Sequence, residues 1–184
     1  MEIDHTPVMP AEVLENLLIP PGRSVMIDCT TGEGGHSSLF LSHYPELSVI
    51  GIDRDAEIQK KAIERLSAYG DRFTPVLSWF NDYLASAESE SADAILFDLG
   101  ISMFHYAESG RGFSFRGEEE LDMRLDKDGD ISARDIVNGY SEESLADVIY
   151  RYGEERYSRR IARAIAERRK ERPFELSSDL ADVI

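Results

Sequence analysis

The 184-residue sequence is short of cysteine, tryptophan and positive charge, with one Cys, one Trp and 20 Lys and Arg against 36 Asp and Glu. A lone cysteine, Cys29, cannot form an intramolecular disulfide, so a disulfide framework is excluded and a reducing compartment is expected. No apolar run reaches membrane-spanning length, and the opening MEIDHTPVMP has neither the basic flank nor the apolar core of a secretory signal. A cytoplasmic protein without membrane association is the expectation. The four histidines, at 5, 36, 43 and 105, show no metal-ligand spacing, and no metal site is expected. Internal repeats and low-complexity tracts are absent as well. A formal charge of -16 works against phosphate binding, which draws its affinity from Lys and Arg. The exception is local: from Glu154 to Arg172 eight basic residues face four acidic ones.

What is present is an alternation of short apolar runs and helical patterns. Pro7 and Pro10 bracket an extended lead-in, and Ala11 to Leu18 reads as a short amphipathic helix stopped by Pro20-Pro21-Gly22. Val25 to Ile27, Leu47 to Ile52, Phe73 to Leu77 and Ala92 to Phe97 read as strands, three of them followed at once by Asp28, Asp53 and Asp98. Helical stretches lie between them, from Ser37 to His43 and from Ala56 to Tyr69. Four strands separated by helices predict right-handed crossovers and a doubly wound, Rossmann-like parallel α/β sheet. From Ser102 to Asp130 the periodicity lapses into a long glycine-bearing loop. Beyond it, helices are expected over Ser132 to Asn138, from Ser141 to about Tyr152 and from Glu154 to Arg169, with a last one capped at Ser177-Ser178-Asp179. A boundary near residue 107 divides a cofactor-binding part, 1–107, from a loop and helical part, 108–184.

The chemistry is expected at the carboxyl ends of the strands, where an open parallel sheet binds its ligands. Ile27-Asp28-Cys29-Thr30-Thr31-Gly32-Glu33-Gly34-Gly35-His36 runs from a strand through a glycine turn into a helix, whose first N–H groups lack partners. Asp53 follows Gly32 at about the ~20-residue spacing at which an acid binds a ribose, which supports a nucleoside-containing cofactor. A glycine turn can also be a plain connection, and an acid that ends a strand can be only a helix cap. The turn together with three such acids favours a site. Trp79-Phe80, past the third strand, could stack on a base or belong to the core.

In family order across nearly the whole chain come His5-Thr6-Pro7-Val8 with Glu12, then DCTTGEGGHSS, GIDRDAEI, FDLGIS, RGFSF at Arg111 to Phe115, LDMRLD at Leu121 to Asp126, and YGEERYSRRIARAIAERR from Tyr152 to Arg169. On these stretches the sequence resembles the bacterial small-subunit ribosomal RNA cytosine-N4 methyltransferases (the RsmH, or MraW, family), which use S-adenosyl-L-methionine. The resemblance implies that Gly34, Gly35 and His36 line the cofactor, Asp53 takes the ribose hydroxyls, Phe80 contacts the adenine, and Asp98 lies near the methionine end. It implies direct displacement by the cytosine amino group, with Asp98 and Ser102 as candidates to orient its protons, and small-subunit ribosomal RNA as partner. His105 falls where the family reads a glutamine, and is either a cofactor-binding residue in its place or only a surface-loop residue. The family also continues past the helical insertion into further strands. None is legible here, so an incomplete sheet of about four strands is expected, in a chain that is either a truncated copy lacking the C-terminal part or one that completes its sheet by association with a second copy or a partner.

Two other functions compete with methyl transfer. A non-catalytic binding or regulatory protein of the same ancestry would fit the missing strands and the acidic charge. A nicotinamide-dependent dehydrogenase would explain the glycine turn and Asp53 but leaves RGFSF and LDMR unaccounted for. Arg156, Arg160 and Arg163, at helical spacing, could track RNA phosphates, although the interspersed glutamates also fit a solvated, salt-bridged helix.

Overall fold

The computed structural model describes residues 6–184, so His5 of the first motif lies outside the described residues. The chain divides into two compact units, Met1–Ser102 and Met103–Ile184.

In the first unit, helix α1 (Pro10–Asn16) is followed by strand β1 (Ser24–Asp28), helix α2 (Gly35–His43), strand β2 (Leu47–Asp53) and helix α3 (Ala56–Leu66). A 3-10 turn (Ser67–Arg72), strand β3 (Phe73–Leu77), helix α4 (Phe80–Ser86) and strand β4 (Ala94–Leu96) complete it. The strands form a parallel sheet in the order β3-β2-β1-β4. The chain therefore steps outward from β1 through β2 to β3, then returns to the other side of β1. That reversal creates a switch point between β1 and β4, where the connections leave in opposite directions and a crevice opens. Strand alternation sends successive side chains to opposite faces. Met26 and Val49 pack with Phe40, Leu41, Leu47 and Leu66 on the side covered by α1, α2 and α3. Ile27, Cys29 and Ile52 pack with Phe80, Tyr83 and Leu84 of α4 on the other. Cover is uneven on the second face: Ile95 pairs in register with Ile27, yet it and Phe97 are exposed.

In the second unit a short helix, α5 (Met103–Ala107), occupies the start of the segment expected to be a loop. Helix α6 (Ala133–Gly139) starts at a capping box in which Ser132 accepts from the Asp135 N–H and the Asp135 carboxylate accepts from the Ser132 N–H. Helices α7 (Glu142–Gly153) and α8 (Ser158–Arg168) form a hairpin, and α9 (Ser177–Ala181) follows. Leu121, Val137, Leu145, Ala162, Ile165 and Phe174 make the core of this unit. Helix α8 begins four residues later than its pattern suggests. Glu154 adopts a left-handed φ of 51°, and Glu155 accepts the Tyr157 N–H at 2.7 Å, so the chain turns before it coils. The motif loop is held by side chains: Arg111 is buried and donates to the Arg124 and Leu125 carbonyls, while Arg124 grips Asp122 through two 2.7 Å bonds. That grip holds the Asp122 carboxyl below the ordinary carboxylate range.

Candidate functional site

The loop that leaves β1 is tied to both neighbouring strands. Toward β4, Cys29 N–H donates to the Leu96 carbonyl at 2.9 Å and Asp98 N–H donates to Thr30 Oγ1 at 2.7 Å. Toward β2, Thr31 N–H donates to the Ile52 carbonyl at 3.0 Å and Gly32 N–H donates to Asp53 Oδ2 at 2.9 Å. Four successive residues thus fix the turn across the switch point, and the ends of β1, β2 and β4 meet there with their acids.

Asp28 is the deepest of these acids and is wholly buried. Its Oδ2 accepts the Ser37 hydroxyl at 2.7 Å and its Oδ1 the Thr30 N–H at 3.3 Å, so it braces the first turn of α2 against the strand end. Burial pushes its pKa up from 3.8 to about 6, against those two donors, and the neighbouring charges of Asp53 and Asp98 add to the rise. Sequence reading singled out Asp28 as a strand-end acid but not its partner Ser37. Nothing in a nine-residue separation announces that contact; the glycine turn doubling back is what makes it. The same burial pushes the Cys29 thiol up to about 11, which keeps it protonated and unreactive at neutral pH.

Gly34 caps α2 at a φ of 79°, and a Cβ there would lie 2.9 Å from Leu66 Cδ1. The expected reason for this glycine was access for a ligand. The structure adds another, room for α3, because the left-handed turn brings α2 close against Leu66 and Ala62. Gly34, as the N-cap, offers no side chain to the first turn of α2. His36, in that turn, is buried with Nε2 3.7 Å from Asp98 Oδ2.

Asp53 ends β2 half-buried. Besides Gly32, its carboxylate accepts the Asp55 N–H at 2.8 Å. Asp98, just past β4, has a side chain 43% exposed. Phe80, at the start of α4, meets Phe97 edge to face with ring centroids 5.4 Å apart, an apolar flank beside the polar strand ends. Ser102 closes the first unit four residues beyond Asp98.

Gly34, Gly35, His36, Asp53, Phe80 and Asp98 therefore all follow or end strands at the carboxyl edge of one sheet. His105 belongs to the second unit, where it is buried between Phe104 and Phe113, with ring centroids 5.5 and 5.3 Å away. It is not a surface-loop residue. The arginine trio is rearranged as well: Arg160 and Arg163 lie on α8, Arg156 sits in the turn before it, and Arg163 pairs with Glu142 at 3.5 Å. Among the described residues no group of His, Cys, Asp and Glu could hold a metal ion, and no helix is long and apolar enough to cross a membrane.

"Ribosomal RNA small subunit methyltransferase H" of Treponema denticola is 48% identical over the whole chain, which covers 59% of that protein. The proteins of the same name from Thermotoga neapolitana and Picosynechococcus are 42% and 40% identical, over 98% and 100% of the chain and 60% and 61% of their own lengths. The chain thus spans about 60% of the length of these relatives. A crystal structure of an rRNA methylase from Clostridium thermocellum aligns with 50% of the chain and 49% of its own, at 17% identity and a TM-score of 0.42. Residues 2–184 match the MraW methylase family, and with its parallel Rossmann-like sheet and strand-end site the chain belongs to that family.

Proposed function

We propose that the chain binds S-adenosyl-L-methionine at the strand ends of its sheet and directs methyl transfer to the exocyclic N4 of a cytosine in small-subunit ribosomal RNA. The observation that carries this reading is the turn from Asp28 to His36, tied to β2 through Asp53 and to β4 through Asp98, in a chain of the MraW methylase family. The residues fit the cofactor. The glycine turn and the start of α2 at Gly35 suit its polar end, the Asp53 carboxylate at the end of β2 suits ribose hydroxyls, and Phe80 suits the adenine face. When bound, the cofactor supplies an electrophilic methyl group on a sulfonium.

The remaining work falls to the protein. A cytosine amino group is a weak nucleophile because its lone pair is delocalised into the ring. Alignment and orientation of its protons therefore matter more than a strong base. Asp98, exposed and next to His36, and Ser102 are the acceptors proposed for this role, with the base turned out of its stack to reach them. In the second unit, His105 stands in the place of the family's glutamine, and Arg156 and Arg160 are the groups proposed to meet RNA phosphates.

Calorimetry with S-adenosylmethionine and with its demethylated product tests the cofactor site: Asp53→Ala abolishes binding and Ser114→Ala does not. Radiolabelled methyl transfer onto small subunits lacking the modification tests the reaction. Cofactor binding without transfer would instead support the non-catalytic reading. The exposed Ile95 on the edge strand β4 and Phe97 just past it support a covering element from a second copy or a partner. Sedimentation of the chain at rising concentration checks the second copy, and a monomer throughout would exclude it.

A further inference from the structure

The turn between α7 and α8 carries an exposed aromatic and basic cluster that the cofactor site does not use. Tyr152, in the last turn of α7, is 85% exposed, and Tyr157, at the start of α8, is 53% exposed. Such exposure leaves most of two large rings in water, although the unit has a core that takes Phe174 completely. The turn is not loose. Ser158, next to Tyr157, is buried, Ala162 and Ile165 anchor the helix behind it, and Glu155 fastens the Tyr157 N–H. The rings are thus presented by a fixed support.

The charge around them points the same way. The Arg156 guanidinium lies 4.8 Å from the Tyr157 ring centroid and covers one part of it. Arg156, Arg159 and Arg160 are exposed, and none forms an ion pair with a described residue, whereas Arg151 pairs with Asp147 and Arg163 with Glu142. Three uncompensated arginines in five residues are unusual in a chain of net charge -16, where acidic neighbours are abundant.

We propose that Tyr152 and Tyr157, with Arg156, Arg159 and Arg160, form a platform for single-stranded RNA. Unpaired bases stack on the tyrosines, and the arginines take the flanking phosphates. A base paired in a helix hides both of its faces and cannot use the rings. The cluster therefore selects an unpaired segment, as an enzyme that needs its target base out of the stack requires. The proposal rests on the RNA-substrate reading above and adds to it the strand state recognised and the residues that grip it.

The test is fluorescence anisotropy of the full chain with a labelled, unstructured RNA oligonucleotide and with the same sequence as a duplex. Tyr152→Ala and Tyr157→Ala should each weaken single-strand binding about tenfold or more, and Tyr→Phe at either position should restore it. Arg156→Ala and Arg160→Ala should weaken binding and lower the salt slope by about one each, while Arg163→Ala changes neither. Both tyrosines are exposed, and unchanged circular dichroism spectra would establish that the variants fold. Wild-type affinity in the Tyr→Ala variants, failure of the Phe variants to rescue, or equal binding of polyglutamate would overturn the platform while RNA binding stands. A chain that binds S-adenosylmethionine but no RNA would overturn both the platform and the RNA-substrate reading.

Discussion

Replacing Asp28 by Asn isolates the cost of burying a charge beneath the site. The ordinary carboxyl value of 3.8 is raised to about 6 in the fold. The native state therefore holds its proton more tightly than the unfolded chain. Stability contributed by this group is greatest at low pH and declines as pH rises from the unfolded value through the folded one. A rise of this size corresponds to about 3 kcal/mol over the whole titration, of which about 2 kcal/mol falls between about pH 4.5 and pH 7.5. Asparagine keeps an acceptor for Thr30 N–H or the Ser37 hydroxyl but cannot ionise. The stability of Asp28→Asn relative to the unmodified chain should thus move in its favour by about 2 kcal/mol over that interval. Urea unfolding at the two pH values measures the difference directly. A difference independent of pH, or one that shifts toward the unmodified chain at higher pH, would falsify the claim that desolvation dominates at Asp28.

Other perturbations follow from the same structure. Gly34→Ala forces a left-handed φ of 79° on a residue with a Cβ and drives that atom toward Leu66, so a loss of about 1–3 kcal/mol is expected. Thermal unfolding checks it, and an unchanged midpoint would mean that α3 yields freely. Phe174→Ala empties a fully buried position next to Arg168, whose guanidinium lies 4.9 Å from the ring; it should cost about 3–5 kcal/mol in urea unfolding. Cys29 should resist a thiol reagent at neutral pH and react at full stoichiometry only in denaturant; rapid labelling of the native chain would contradict its burial.

Periodicity located β1, β2 and β3 almost residue by residue, because buried parallel strands are short apolar runs with sharp ends. It did not single out α4 at Phe80–Ser86, whose few apolar residues pack on one part of a face. It also joined the turn at Glu154 to α8, since the left-handed residue there is a glutamate and carries no glycine signal. The strand-end acids could be read individually. Their different states could not, because Asp28 and Asp98 have the same side chain and differ only in their surroundings, one wholly buried and the other open to water.

Residue order alone determined the family, the strand and helix alternation and the glycine turn, because each is written in local spacing or in motifs that run in sequence. The tertiary structure decided what those residues do to one another. It joined Asp28 to Ser37, tied Gly32 to Asp53 and Asp98 to Thr30, buried His105 between two phenylalanines, and left Tyr152 and Tyr157 in water. Contacts between distant residues, and the exposure that sets the cost of a charge or a ring, exist only once the chain has closed on itself.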